Sequence, residues 1–310
     1  MNKRKYKVGL LLAFLTLFFA IVLCIRIFRI DPGVVVTPIS KTFESIEIPF
    51  MRPRVPKIDS LHQTVQTILD ESSGNYGVVI KNLKGNETYT YNEHQEFLSG
   101  SLYKLWIMAT VYDQIKKGQL HETDILQQEI PILNEKFNIS TENAELIDGD
   151  IMLSVSDALE RMITFSDNYA ALLLSEKVRL SNVAKFLDTK GFTESKVGTD
   201  GSLPTTTPSD IAKFFTSLYT GSLIDKTYDE KMLRLLKKQE INHKIPKYLP
   251  HNTVVAHKTG ELDVYSHDAG IVYAPKNDYI IVIFSESDNP PEAEKVMAKI
   301  SETVYQFFTK

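Results

Sequence analysis

The sequence predicts an α+β fold: an antiparallel β-sheet flanked by N- and C-terminal helices, with an all-helical subdomain inserted between early and late strands. Three observations predict it. Strand-like runs with turn punctuation lie at residues 76–91 and again at 253–284. The stretch between, from Ser101 to about Tyr219, carries mostly helical periodicity. Helical patterns then flank the strands at both ends, over residues 58–71 and 290–308.

Each element has its own reason. Leu61, Val65, Ile68 and Leu69 form one apolar face of a helix over 58–71. Residues 76–83 and 87–91 read as strands, with Lys84-Gly85-Asn86 as the hairpin punctuation between them. A long apolar helix opens at Ser101 through Leu102, Leu105, Trp106, Met108, Ala109 and Tyr112. Further helical segments follow at 156–163, 168–178, 182–187 and 209–219, the last with Ser209 as its cap. Strands return at 253–257, 266–273 and 279–284, with Asn277-Asp278 as the last turn. Pro290 and Pro291 start a closing helix whose inner face is Ala293, Val296, Ile300 and Val304.

The 310 residues divide into a cytoplasmic tail and membrane anchor (1–29), a linker (30–57) and a catalytic body (58–310). Val8 to Ile25 is an uncharged apolar run, about long enough to cross a bilayer core. Lys3, Arg4, Lys5 and Lys7 precede it and Arg26 and Arg29 follow, which orients the body outside the cell membrane. A cleaved signal peptide is the competing reading, but no A-x-A-like site follows the run. Pro32, Pro38, Pro49, Pro53 and Pro56 interrupt any helix in the linker.

The formal net charge is −4; subtracting the six basic residues of 1–29 leaves −10 for the rest. An acidic body without a basic stripe argues against nucleic acid as a partner. Cys24, the only cysteine, lies in the apolar run, so no disulfide framework is expected in the body, which reads as a monomer. His62, His94, His121, His243, His251, His257 and His267 are scattered without ligand spacing. No metal and no cofactor is expected, and most of these histidines are assigned to the surface or to supporting roles.

Three short motifs carry the chemistry. Ser101-Leu-Tyr-Lys104 puts a hydroxyl and an amine on one helix face, three residues apart. A serine hydroxyl needs a base to take its proton, and a lysine serves once burial and nearby cations lower its pKa. Ordinary composition gives roughly one Ser-x-x-Lys by chance in such a chain. This match gains weight because it is the only one and sits at a helix start. Ser166-Asp167-Asn168 is also a good cap triplet, and Lys258-Thr259-Gly260 a common strand end.

Together and in this order, the three resemble the signature of active-site serine β-lactamases and penicillin-binding proteins. FLSGSLYKLWIMATVYDQIKKGQL, SVSDALERMITFSDNYAALLL and AHKTGELDVYSHDAGIVYAP extend the likeness to class A β-lactamases over roughly residues 58–310. The resemblance implies that Ser101 is the acylated nucleophile and Lys104 its activator. It implies that Ser166 passes a proton to the leaving nitrogen and that Asn168 holds the substrate's side-chain amide. Lys258, Thr259 and Gly260 would bind the substrate carboxylate side, and the backbone N–H groups of Ser101 and Glu261 would form the oxyanion hole. Asp167 would cap the helix that starts there.

One departure stands out. The family's Glu-x-x-Leu-Asn stretch, whose glutamate activates the deacylating water, is missing before Thr205-Thr206-Thr207-Pro208. Glu194 and Asp200 are the carboxylates in that shortened interval, and each reads equally as a solvated loop residue. The expectation is a membrane-anchored serine hydrolase that opens a small-molecule β-lactam through an ester on Ser101. A D-alanyl-D-alanine peptidase acting on peptidoglycan stem peptides and a slowly deacylating sensor are the alternatives. The short tail, Met1 to Lys7, offers no domain to receive a signal.

Overall fold

A computed structural model describes residues 60–310; the expected anchor, the whole of the expected linker and residues 58 and 59 lie outside them. The first helix, α1 (Leu61–Asp70), starts at Ser60, whose hydroxyl accepts from Gln63 N at 3.1 Å. Its buried Leu61, Val65 and Leu69 recur every fourth residue, so they form one stripe.

Five strands form the main sheet in the order β2 (Thr88–Tyr91), β1 (Asn75–Asn82), β9 (Tyr279–Glu286), β8 (Tyr265–Tyr273), β7 (Val254–Leu262). Every neighbouring pair is antiparallel. The central strand β9 is apolar on both faces because both faces are covered. Tyr279, Ile281 and Ile283 meet α1 and the closing helix α9 (Pro290–Thr309) through Val65, Met297 and Ile300. Ile280, Val282 and Phe284 face the opposite way, into a core shared with Trp106, Phe214 and Phe215. Period-two alternation sends the two sets to opposite sides. Each fully buried large apolar side chain contributes about 1.5–3 kcal/mol of burial free energy. An ionised side chain at Val282 would face that core unpartnered.

On the second face lie α2 (Lys104–Lys116), α4 (Val155–Thr164), α5 (Asn168–Val178), α6 (Leu180–Lys190), α7 (Pro208–Tyr219) and α8 (Lys226–Leu236); α3 (Ile130–Lys136) comes between α2 and α4 in the chain. Helix α2 is buried at every residue from Lys104 to Tyr112, so it runs through the interior and not along a surface.

The expected layout holds, with corrections of detail. The middle region is not helical only: β3 (Phe97–Leu98) pairs with β6 (Thr205–Thr206), and β4 (Ile125–Glu129) with β5 (Asp150–Ser154). Two-residue strands show no alternation, and Ile125 and Met152 are exposed, which hid the second pair. Helix α8, capped by Asp225 accepting from Tyr228 N, was not expected, because charges interleave its apolar positions. Thr207, not Ser209, caps α7: its hydroxyl accepts from Asp210 N, and Pro208 takes the first turn. Strand β7 does not end at His257 but runs through Lys258-Thr259-Gly260 to Leu262, and Asp263 (φ 52°) turns it into β8.

Candidate active site

The nucleophile segment is positioned by backbone contact. Ser101 lies in a 3-10 turn (Gly100–Tyr103) that leads into α2. Gly100 has φ 48°, and a Cβ placed there would lie 2.7 Å from Glu261 N. A Cβ on Gly260 would lie 2.7 Å from Ser99 O. These two glycines let the turn lie directly on β7, with Gly100, the residue before Ser101, against the Glu261 backbone. Gly260 therefore serves the close approach of two segments of the chain. Leu98 O, just before the turn, accepts from His267 Nε2 at 2.8 Å. His267 Nδ1 accepts from Ser285 N, which fixes one neutral tautomer. Burial pushes the His267 imidazolium down to about 4, against the upward pull of the bond to Leu98.

Two buried lysines meet at one hydroxyl. Lys104 and Lys258 are each fully buried. Ser166 Oγ lies 3.2 Å from Lys104 Nζ and 3.0 Å from Lys258 Nζ. Lys104 Nζ also donates to Ser166 O at 2.5 Å and to Asn168 Oδ1 at 2.6 Å. Ser166 sits at φ 60°, a left-handed backbone that costs a non-glycine residue about 1–3 kcal/mol. At that turn its carbonyl and hydroxyl both reach Lys104. Asp167 closes the turn by accepting from Ala170 N at the start of α5, as the sequence suggested.

Burial lowers Lys104 to about 8, against the charges of Asp167 and Glu145, which raise it. Burial first, and then the charge of Lys104, hold Lys258 well below the ordinary lysine range. Two ammonium groups on one hydroxyl disfavour each other, so proton loss from the pair is made easier near neutral pH.

Among the described residues no hydrogen bond joins Ser101 directly to Lys104. Lys104 Nζ spends its donors on Ser166 and Asn168, and among the described residues Ser101 Oγ has no hydrogen-bond partner. Of the three acceptors on Lys104, only the Ser166 hydroxyl can also donate. It is the one contact that can donate to the lone pair of neutral Lys104, whose two remaining N–H groups still serve the other two acceptors.

Lys258 Nζ also donates to Thr259 O at 2.9 Å, and Thr259 is buried beside it. Glu261 is tied from outside the motifs. Buried Lys244 donates to Glu261 Oε1 at 2.7 Å and to His267 O at 3.3 Å. Burial pushes the Glu261 carboxyl up, but Lys244, with His243, brings it below its usual value. His243, Glu261 and Glu294 come close enough together to suit a cation. The Lys244 ammonium already lies among them, 3.7 Å from Glu294.

Sequence reasoning missed Lys244, His267 and Glu145. The first two lie far in sequence from the motifs they support. Glu145 Oε1 accepts from Asn168 Nδ2 at 2.5 Å, and no motif marks it. His257, one of the histidines assigned to the surface or to supporting roles, is buried against Asp268 at 2.8 Å.

The two carboxylates of the shortened interval face elsewhere. Glu194 is bonded through one oxygen to His94 and through the other to Thr207 Oγ1, at 2.9 and 2.6 Å. Asp200 is exposed and accepts from Ser202 N and Oγ, which lowers its pKa.

Known proteins share this arrangement of elements. Beta-lactamase VEB-1 of Pseudomonas aeruginosa is 23% identical over 275 residues, covering 81% of this chain and 91% of that protein. A β-lactamase of Sphaerobacter thermophilus superposes with a TM-score of 0.70 at 22% identity, over 81% of this chain and 97% of its own. PBP-A superposes with a TM-score of 0.70 at 20% identity, over 80% and 95%. The model of the beta-lactamase enzyme family matches residues 60–308, nearly all of the described chain, and the chain belongs to that family.

Proposed function

We propose that this protein is a serine hydrolase that opens the β-lactam amide through an ester on Ser101. One observation carries the reading: two buried lysines of lowered pKa share the Ser166 hydroxyl, and the turn that carries Ser101 packs on the Glu261 backbone through Gly100. In the acylation step Ser101 Oγ bonds to the lactam carbonyl carbon while neutral Lys104 takes the hydroxyl proton. The negative charge on the carbonyl oxygen is met by the Ser101 and Glu261 N–H groups. Collapse breaks the carbon–nitrogen bond, and Ser166 hands its proton to the departing nitrogen and regains one from Lys104. Lys258 and Thr259 take the substrate carboxylate, and Asn168 its side-chain amide. Water then cleaves the ester and restores the Ser101 hydroxyl. A Ser101–Lys104 bond absent from the free protein can form as substrate closes the site.

The bonds that tie Glu194 to His94 and Thr207, and Asp200 to Ser202, favour a second reading for the fate of the ester. A D,D-peptidase acting on peptidoglycan stem peptides uses the same acylation and needs no dedicated base for β-lactam hydrolysis. Turnover of a chromogenic β-lactam against release of D-alanine from a D-alanyl-D-alanine peptide separates the two. Fluorescent penicillin tests the shared step: it should label the wild-type body and not Ser101→Ala, and labelling of both would remove Ser101 from its role.

The body would stand outside the cell on an N-terminal anchor. The uncharged run from Val8 to Ile25 and its flanking basic residues support this placement. No helix among the described residues is long and apolar enough to cross a membrane. External protease on intact cells or spheroplasts should release a fragment cut between Asp31 and Lys57; complete protection would reverse the orientation.

A further inference from the structure

Outside the three motifs, a buried pair stands beside Lys258. His257 precedes it on β7 and donates from Nδ1 to Asp268 Oδ1 at 2.8 Å, with both side chains fully buried. Asp268 Oδ2 accepts from Ile245 N at 3.0 Å. His257 Nε2 lies 3.1 Å from Asn242 Oδ1, in the same loop as Ile245. One carboxylate on β8 therefore ties down both β7 and the loop that precedes it. With both oxygens engaged, it cannot turn away from the strand it holds. In the β7–β8 register Asp268 pairs with Thr259, and its neighbour Ala269 with Lys258.

Lys258 needs a nearby anion to stay charged. Burial and then the Lys104 ammonium push its pKa down, and Asp268 gives the largest opposing pull. Lys244, from the loop, adds to the fall, while Glu261, on the same strand, opposes it. The hydrogen-bond acceptors of Lys258 among the described residues, Ser166 Oγ and Thr259 O, are both neutral. They take two of the three N–H bonds of the ammonium, which leaves one for a substrate. A carboxylate bonded to His257 and Ile245 favours the ammonium through space and occupies none of its donors.

We infer that Asp268 is a positioning residue for the substrate carboxylate: it fixes the strand that carries Lys258 and supplies the negative charge that keeps this lysine an ammonium with one N–H open. The inference rests on the reading of Lys258 as the holder of that carboxylate. Asp268 touches no substrate and acts through Lys258.

The test compares acylation rate constants for benzylpenicillin and its methyl ester, which differ only at the carboxylate. Titration of Lys104 affects both alike, so their ratio isolates Lys258. In the wild-type body the ratio should favour the free acid and decline as the pH rises and Lys258 loses its proton. Asp268→Asn keeps the shape and the acceptor for Ile245 N but removes the charge. It should cut the preference by on the order of tenfold at neutral pH, the size of one charge contact at the effective dielectric of a protein. It should also move the decline to lower pH. His257→Asn, whose amide N–H stands in for that of Nδ1, keeps the charge and should leave the ratio close to that of wild type. If Asp268→Asn fails to fold, His257→Leu takes its place. A buried carboxylate without its donor favours the neutral form, so the preference should fall in the same sense. An unchanged ratio, or equal slowing of acid and ester as a merely structural role would give, overturns the inference. No preference for the acid in the wild-type body would overturn the assignment of Lys258 and this inference with it. Absence of an adduct with either compound would overturn the acylation reading itself.

Discussion

The acylating cluster and the loop of residues 191–204 border the same nucleophile turn and are built in opposite ways. Buried Lys104 and Lys258 converge on the half-buried Ser166, with bonds of 2.5–3.2 Å and lowered lysine pKa values. In the loop, Glu194 and Asp200 are bonded to His94, Thr207 and Ser202 and serve the loop itself. Ser99 N donates to Pro204 O at 2.8 Å, so the loop adjoins the turn without turning a carboxylate towards it. On the proposed reading, forming the ester and hydrolysing it draw on different parts of this fold. The first needs a buried cluster, and the second needs one more base on a neighbouring loop.

The largest effects should fall on the acylating side. Ser101→Ala should abolish covalent labelling by penicillin, measured by intact-protein mass. Lys104→Ala should slow acylation by on the order of 10²–10⁴-fold, as loss of a general base does. Stopped-flow acylation rates should separate that from a folding defect, provided circular dichroism stays native.

The pH profile sharpens the comparison next. Lys104 has its pKa lowered to about 8, and it acts only when neutral. Acylation by benzylpenicillin should therefore fall about tenfold per pH unit below about 8 and level off above it. A profile flat from neutral pH upward would place the working base elsewhere. On the loop side, Glu194→Gln and Asp200→Asn should change deacylation by less than about twofold. A larger loss in either would make that carboxylate the missing base and erase the contrast.

Much of the fold and half of the site were legible in the sequence, for physical reasons that can be named. Helices α1 and α9 show because each buries one stripe, and β9 shows because a strand buried on both faces is a continuous apolar run. Ser101, Lys104, Ser166 and Lys258 were legible through motif order, and the structure gathers the last three around one hydroxyl. Lys244, His267 and Glu145 were not legible. Their partners lie 17, 169 and 23 residues away, and nothing local marks a lysine, histidine or glutamate for such a contact. The small strand pairs escaped because two residues carry no period, and β7 was cut short because its polar end is fixed by pairing with β8.

The most direct test of the separation between acylation and hydrolysis is a pre-steady-state time course with a chromogenic β-lactam on the wild-type body. The account expects a burst of about one product equivalent per protein molecule, then a much slower steady state, with a penicilloyl-type adduct trapped on Ser101 when the reaction is quenched. Linear turnover from the first turnover onward, with no adduct accumulating, would contradict it and mean that a base for deacylation is already in place.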